Sequence, residues 1–168
     1  AGNKYYQVWL ENFLQSPAII RELAYSSQSG FLEKKTKVNR PHIFLTKGES
    51  KRVSNFLMTL RIPDLEVEKV DNKPLSSSEQ ARIKISFERN YGCISCHRAL
   101  NLVGRVRGGV SGPSLVNSGL RLNPDWIFNW LKNPKKFLSE GGMPLYDLNE
   151  ETAVLITKYI VSIRTKNK

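Results

Sequence analysis

Two cysteines occur in the 168-residue chain, and they stand together as Cys93-Ile94-Ser95-Cys96-His97. Few patterns restrict a fold so tightly, because each chemistry open to such a pair demands different surroundings. A disulfide across two intervening residues closes a short loop and adds little to a chain long enough to bury a core of its own. A redox dithiol of the thioredoxin kind needs a strand before the motif and a helix after it. A structural zinc site needs four ligands, and with two Cys and two His available the set would be Cys93, Cys96, His97 and His42, at an unusual spacing. The fourth chemistry is covalent haem attachment. There, two thiols three apart on a helical turn reach the vinyl groups on one porphyrin edge, and the next residue sets the imidazole of His97 under the iron.

The surroundings favour the fourth reading. Residues 78–91 read as a helix rather than a strand, with Ile83, Phe87 and Tyr91 at i, i+4 and i+8 and a capping box from Ser76 to Glu79 or Ser77 to Gln80. After the motif, Gly108-Gly109 and Gly112-Pro113 mark a loop whose backbone can approach a flat cofactor closely. Asn123-Pro124-Asp125 opens a short amphipathic helix with Trp126, Trp130 and Leu131 on one face, and Pro134 ends it. Asn149 caps a closing helix that runs to Arg164, with Ala153, Ile156, Ile160 and Ile163 on one face. Of the two methionines, Met58 lies in an ordinary helical pattern, whereas Met143 sits in a turn between Gly141-Gly142 and Pro144.

The order and spacing of these blocks over residues 79 to about 165 resemble the class I cytochrome c family. The resemblance rests on the helix before Cys93-x-x-Cys96-His97, on Gly112-Pro113-Ser114-Leu115, on Leu122-x-x-x-Trp126-x-x-x-Trp130-Leu131-x-x-Pro134, on Gly142-Met143-Pro144, and on the closing helix. It implies an all-α cytochrome c fold and one haem c attached at Cys93 and Cys96. It further implies His97 and Met143 as the iron ligands, and the Pro113 carbonyl as acceptor from the non-ligating nitrogen of His97. His42 is the alternative sixth ligand. A thioether stabilises ferrous iron, where a second imidazole lowers the potential. Arg121, Trp126 and Tyr146 are candidate propionate donors. Haem is attached outside the cytoplasm in this family, so an exported, periplasmic location is implied.

The first half carries a partial copy of the second. Trp9, Asn12, Leu14 and Pro17 match Trp126, Asn129, Leu131 and Pro134 at a constant offset of 117. Pro41, Leu45, Phe56, Leu57, Leu60 and Arg61 match Pro144, Leu148, Tyr159, Ile160, Ile163 and Arg164 at an offset of 103. Residues 1–62 thus read as a degenerate, haem-less cytochrome c-like helical half-domain, 63–77 as a linker, and 78–168 as the haem-binding domain. Arg40 falls where Met143 stands in the second copy. Such a half either packs on the haem domain or associates tightly with another cytochrome subunit that supplies the missing part of a split domain.

Charge narrows the partners. The formal net charge is +11, spread as +4 over residues 1–78 and +7 over 79–168. The clusters Lys34-Lys35-x-Lys37 and Lys132 with Lys135-Lys136 lack a nucleic-acid-binding pattern around them. The excess therefore reads as a docking surface for acidic redox partners, with Arg105, Arg107, Lys132, Lys135 and Lys136 near the expected cofactor loops. The sequence offers no stretch apolar enough for a membrane span. With both axial positions filled, the expected role is one-electron transfer rather than catalysis, as a free carrier or as a fixed subunit of a respiratory or dehydrogenase complex.

Overall fold

The computed structural model describes residues 1–21, 43–101 and 103–165. The expectations for His42, Arg40 and the Lys34, Lys35 and Lys37 cluster lie outside these residues. The described chain is mostly helical. In its second part, α3 (Ser77–Ile85) is opened by a capping box in which Ser76 accepts from the Glu79 N–H and Glu79 accepts from the Ser76 N–H. The helix expected over 78–91 does not run straight through. It widens into a π turn at Ser86–Asn90, closed by a Tyr91 N–H to Ser86 carbonyl bond of 2.9 Å. Gly92, with φ of +59°, then breaks the path and a 3₁₀ turn, Cys93–Ser95, carries the first cysteine.

The stretch expected to be plain loop is partly a ribbon. Strand β1 (Arg98–Leu100) pairs antiparallel with β2 (Val106–Gly108), Arg98 facing Gly108. Gly108 and Gly109 let this segment lie against the motif's backbone: a Cβ on Gly108 would stand 2.2 Å from the His97 carbonyl oxygen, and one on Gly109 would stand 1.9 Å from that of Ser95. Helices α4 (Pro124–Lys132), α5 (Pro134–Phe137) and α6 (Glu150–Ser162) complete this half. Helix α6 lies between α4 and α3. Ile83, Phe87, Phe128, Ile156 and Ile160 are buried in one cluster, and Phe87 meets Tyr159 edge-on at 5.2 Å. The closing helix buries the face that the sequence assigns to it, and Asn149 accepts from the Thr152 N–H at 2.8 Å.

The segment between the halves is strapped along α4. The Asp125 carboxylate accepts from the backbone N–H of Glu68, Lys69 and Val70 at 2.8, 3.1 and 3.4 Å. Asn129 exchanges two bonds with the Glu66 backbone, at 3.1 and 2.7 Å. Neither partner announces itself in the sequence, because the contacts use the strap's main chain and not its side chains.

The first half contains α1 (Gln7–Gln15) and α2 (Lys47–Thr59), packed on each other. Their limits repeat those of α4 at offset 117 and of α6 at offset 103, residue for residue. Buried positions repeat too: Leu10 and Leu14 correspond to Ile127 and Leu131, Ser50 and Ser54 to Ala153 and Thr157. The crossings are tight at matching glycines. A Cβ on Gly2 would lie 2.1 Å from the Met58 carbonyl oxygen, and one on Gly119 would lie 2.2 Å from that of Val161.

Where the halves meet, the repeat becomes a pseudo-twofold. Tyr5 bridges antiparallel to Leu122, its own counterpart at offset 117. The Tyr6 N–H donates to the Arg121 carbonyl at 3.0 Å, and the mirrored Asn123 N–H donates to the Lys4 carbonyl at 2.9 Å. Such an isologous contact is what a symmetric dimer uses, here within one chain. The Lys4 ammonium lies over the Tyr5 and Trp126 rings at 5.0 and 5.3 Å from their centroids.

Because both glycines press on backbone that cannot swing aside, Gly119→Ala and Gly2→Ala are each expected to cost about 1–3 kcal/mol of stability. Urea unfolding checks this, with a lowered midpoint and an unchanged slope as the expected outcome.

Candidate functional site

The motif is built by the sharp turn after the π segment. The Cys93 carbonyl accepts from the N–H of Cys96 at 3.3 Å and of His97 at 3.0 Å, so the pentapeptide coils once and leaves as β1. Both thiols are unbridged; Cys93 is half-buried and Cys96 exposed. Burial pushes the Cys93 thiol up to about 11 from its ordinary 9.0. The motif is preceded by a helix and followed by a strand, the reverse of the thioredoxin arrangement. Among the described residues no group of three or more His, Cys, Asp and Glu side chains is set to hold a metal ion, and His42, the fourth member of the zinc set, lies outside them.

His97 is fixed by two features. Its Nδ1 lies 2.7 Å from the Pro113 carbonyl oxygen. A carbonyl only accepts, so Nδ1 carries the proton and Nε2 keeps its lone pair for a metal. Gly112 lies against the ring: a Cβ there would stand 2.6 Å from Cε1 and 3.0 Å from Nε2. Burial holds the imidazole below its ordinary pKa, and the Arg121 and Arg21 cations add to that, against the opposing pull of the Pro113 bond. The ring is thus neutral in neutral solution, the form that ligates.

The loop that presents Pro113 is held by guanidinium groups. Arg121 donates to the Ser114 carbonyl at 2.6 Å and Arg21 to the Ser111 carbonyl at 2.9 Å. Arg121, a candidate propionate donor, is buried rather than solvated. Trp126 is buried as well, beside Phe137 at 4.7 Å. Tyr146 donates to the Tyr91 carbonyl at 2.7 Å and meets the Tyr91 ring edge-on, which ties the Met143 loop to the turn before Cys93.

Met143 is half-buried against the core, and its Sδ accepts from Trp130 Nε1 at 2.9 Å. Sulfur has a second lone pair, so this contact orients the thioether without using it up. Lys132 donates to the Leu148 carbonyl at 2.7 Å, and Lys135 to the Ser139 and Gly141 carbonyls at 3.0 and 2.6 Å. These lysines, read from sequence as docking charge, clamp the methionine loop. Arg107 is likewise paired, with Glu88 at 2.6 Å, and Glu88 also binds Lys84. Burial pushes the Glu88 carboxyl up, but the two cations outweigh it and hold it below its ordinary value. The sequence signals neither the Trp130 contact nor the Gly112 contact: the tryptophan reads as core, and the glycine reads as loop punctuation.

No protein-family model matches the chain, and no curated protein and no solved structure is significantly similar to it.

The thiol environments predict unequal reactivity. In protein with both thiols free, at pH 8, a pKa of about 11 leaves Cys93 about one thiolate in a thousand. Peptide mapping after brief iodoacetamide treatment is expected to find Cys96 alkylated well before Cys93; the order disappears in urea.

Proposed function

We propose that the chain is a single-haem c-type cytochrome that passes one electron at a time between redox partners. In this reading the class I cytochrome c fold spans residues 79–165. Cys93 and Cys96 hold the porphyrin through thioethers, and His97 and Met143 ligate the iron. The observation that carries the proposal is the tautomer of His97: its Nδ1–H is given to the Pro113 carbonyl and its Nε2 lone pair is left available beside the side-chain-free Gly112. A neutral imidazole oriented by a carbonyl, with its other nitrogen free, is suited to ligate a metal.

When bound, haem supplies a ferric/ferrous couple; the protein fixes its ligands and shapes what surrounds it. The Pro113 carbonyl raises the basicity of the imidazole by polarising its Nδ1–H bond. Trp130 orients the Met143 sulfur, and Lys132 and Lys135 pin the carbonyls on either side of its loop. With His97 and Met143 both given to the iron, the protein would leave no place for a substrate there, and in this reading its role would be electron carriage. Covalent attachment in the resembled family implies a periplasmic or otherwise exported location. Acidic redox proteins suit the net charge of +11. Among the described residues no helix is long and apolar enough to cross a membrane.

A second reading concerns setting rather than chemistry: a fixed electron-transfer subunit of a respiratory or dehydrogenase complex, with residues 1–62 as docking module. Its specific support is the exposed apolar face of α2, with Phe56 64% and Leu60 48% exposed.

Intact mass under denaturing conditions, taken with an absorption spectrum of the dithionite-reduced protein, tests the first proposal. Chain mass plus one haem with a low-spin c-type spectrum is the expected result, and a bare chain from cells competent for haem attachment would sink it. Met143→Ala is expected to convert a ferrous protein that is inert to carbon monoxide into one that binds it stoichiometrically, while the covalent mass stays the same. Wild type that binds carbon monoxide equally well would remove Met143 from the ligand set.

A further inference from the structure

The internal repeat breaks just after α1. Helices α1 and α4 end in similar conformations, Ser16 at φ −140° and ψ 75° and Asn133 at φ −155° and ψ 81°. In the second half the Asn133 side chain then accepts from the Lys136 N–H at 3.1 Å and opens α5. In the first half Ala18-Ile19-Ile20 stands where Lys135-Lys136-Phe137 would be, two adjacent β-branched residues favour extended backbone, and residues 17–20 form no helix. They run instead to the loop that presents Pro113 to His97.

Two peptide groups of that loop are each held at both ends. The Pro113 carbonyl and the Ser114 N–H belong to one planar, trans peptide group and point in opposite directions. The Ser114 N–H donates to the Ile20 carbonyl at 2.9 Å, which turns the Pro113 carbonyl the other way, to 2.7 Å from His97 Nδ1. The Ser111 carbonyl and the Gly112 N–H likewise share a peptide group. Its oxygen accepts from Arg21 Nε at 2.9 Å, and its N–H donates to the Cys96 carbonyl at 2.7 Å. The loop is thus strung between Ile20 and Arg21 of the first half on one side and Cys96 and His97 of the motif on the other.

We propose that Ile20 and Arg21 are positioning residues for His97, aiming the Pro113 carbonyl at the imidazole through these two peptide groups. Hydrogen bonds in series polarise one another, so the Ile20 carbonyl also makes the Pro113 oxygen a better acceptor for the Nδ1 proton. Fixing the orientation of a ligating imidazole is the work of its hydrogen-bond partners, and here part of that work is done by the half that carries no Cys-x-x-Cys-His motif. The use of this bond, to hold an iron ligand, rests on the cytochrome reading; its geometry does not.

Chain labelled with ¹⁵N-histidine carries two imidazoles, and the signal that persists in His42→Gln belongs to His97. Solvent exchange of the His97 Nδ1 proton, followed by NMR on the intact chain as purified, is the readout. Arg21→Met puts a methyl group where Nε donates, and Arg21→Gln puts an amide N–H donor at the same atom position without the charge. Exchange is expected to be about tenfold or more faster in Arg21→Met than in wild type and close to wild type in Arg21→Gln, with the amide protection of Ile156 and Ile160 in α6 the same in all three. Equal exchange in wild type and Arg21→Met overturns the inference. So does Arg21→Gln that behaves like Arg21→Met, because the charge and not the bond would then be acting, and so does an equal loss of protection in α6, which would mark a loss of overall stability. The expected contrast in a chain that carries no haem, from cells competent to attach it, would leave this inference standing and remove the cytochrome reading, whereas equal rates in a haem-carrying chain would do the reverse.

Discussion

The hydrogen bond from His97 Nδ1 to the Pro113 carbonyl organises the second half of the molecule. For it to form, the strand leaving the motif and the loop returning to it must pass at backbone contact, and the chain arranges this by leaving out side chains. Gly108 and Gly109 let the return strand lie on the carbonyls of the motif, and Gly112 lets the loop touch the imidazole ring itself. Two guanidinium groups then hold the loop by its own carbonyls, one from the described end of the first half and one buried between the halves. Burial is the main cause that favours a neutral ring, and the same two cations add to it.

The internal repeat shows which parts of this design are local. Two helices, the second of them crossed tightly at a glycine, recur with the same limits although few side chains are shared. What the two units share is therefore the capped start of the second helix, the crossing glycine and the spacing of buried positions. The buried pair Ser50 and Ser54 replaces Ala153 and Thr157 without moving the helices, because each serine returns a hydrogen bond to a carbonyl three residues back. The two units then meet about a pseudo-twofold at Tyr5 and Leu122, a contact that one short strand edge makes with its own copy. Symmetry of this kind needs no new surface: a sequence able to pair with itself once is able to do so after duplication.

Much of this was legible in the sequence, and the unreadable part has a common physical character. Asn123, Asn149 and Ser76 announce helix starts because a side chain that caps must be short, polar and adjacent. The register of the repeat survives because tryptophan, asparagine and proline each carry a positional constraint. The π turn at 86–90, the ribbon of β1 and β2, and the strap on Asp125 left no trace. All three are main-chain events, decided by how far one backbone lies from another, and residue identity records that only through its glycines. Within the candidate site the thiols and the imidazole are visible from spacing. The contact of Trp130 with Met143 is not, since indole on an apolar helical face looks the same whether or not its nitrogen meets a sulfur.

The lysines near the methionine loop show why a charge count and a docking surface are different things. Lys132 and Lys135 spend their hydrogen bonds on carbonyls of their own chain, and Lys136 reaches the Asp64 carbonyl at 3.3 Å. A carbonyl neutralises nothing, so their charges still contribute to the long-range field. That field spans both halves and reaches about a Debye length, some 8–10 Å at ordinary salt, so it would act on an acidic molecule without deciding where it rests. Residence depends on what is desolvated at contact, and among the described residues an exposed apolar strip lies on α2 at Val53 and Phe56, continued by Leu60. Encounter and retention therefore answer to separate parts of the surface: the first falls as salt rises, and the second follows the apolar area that a partner covers.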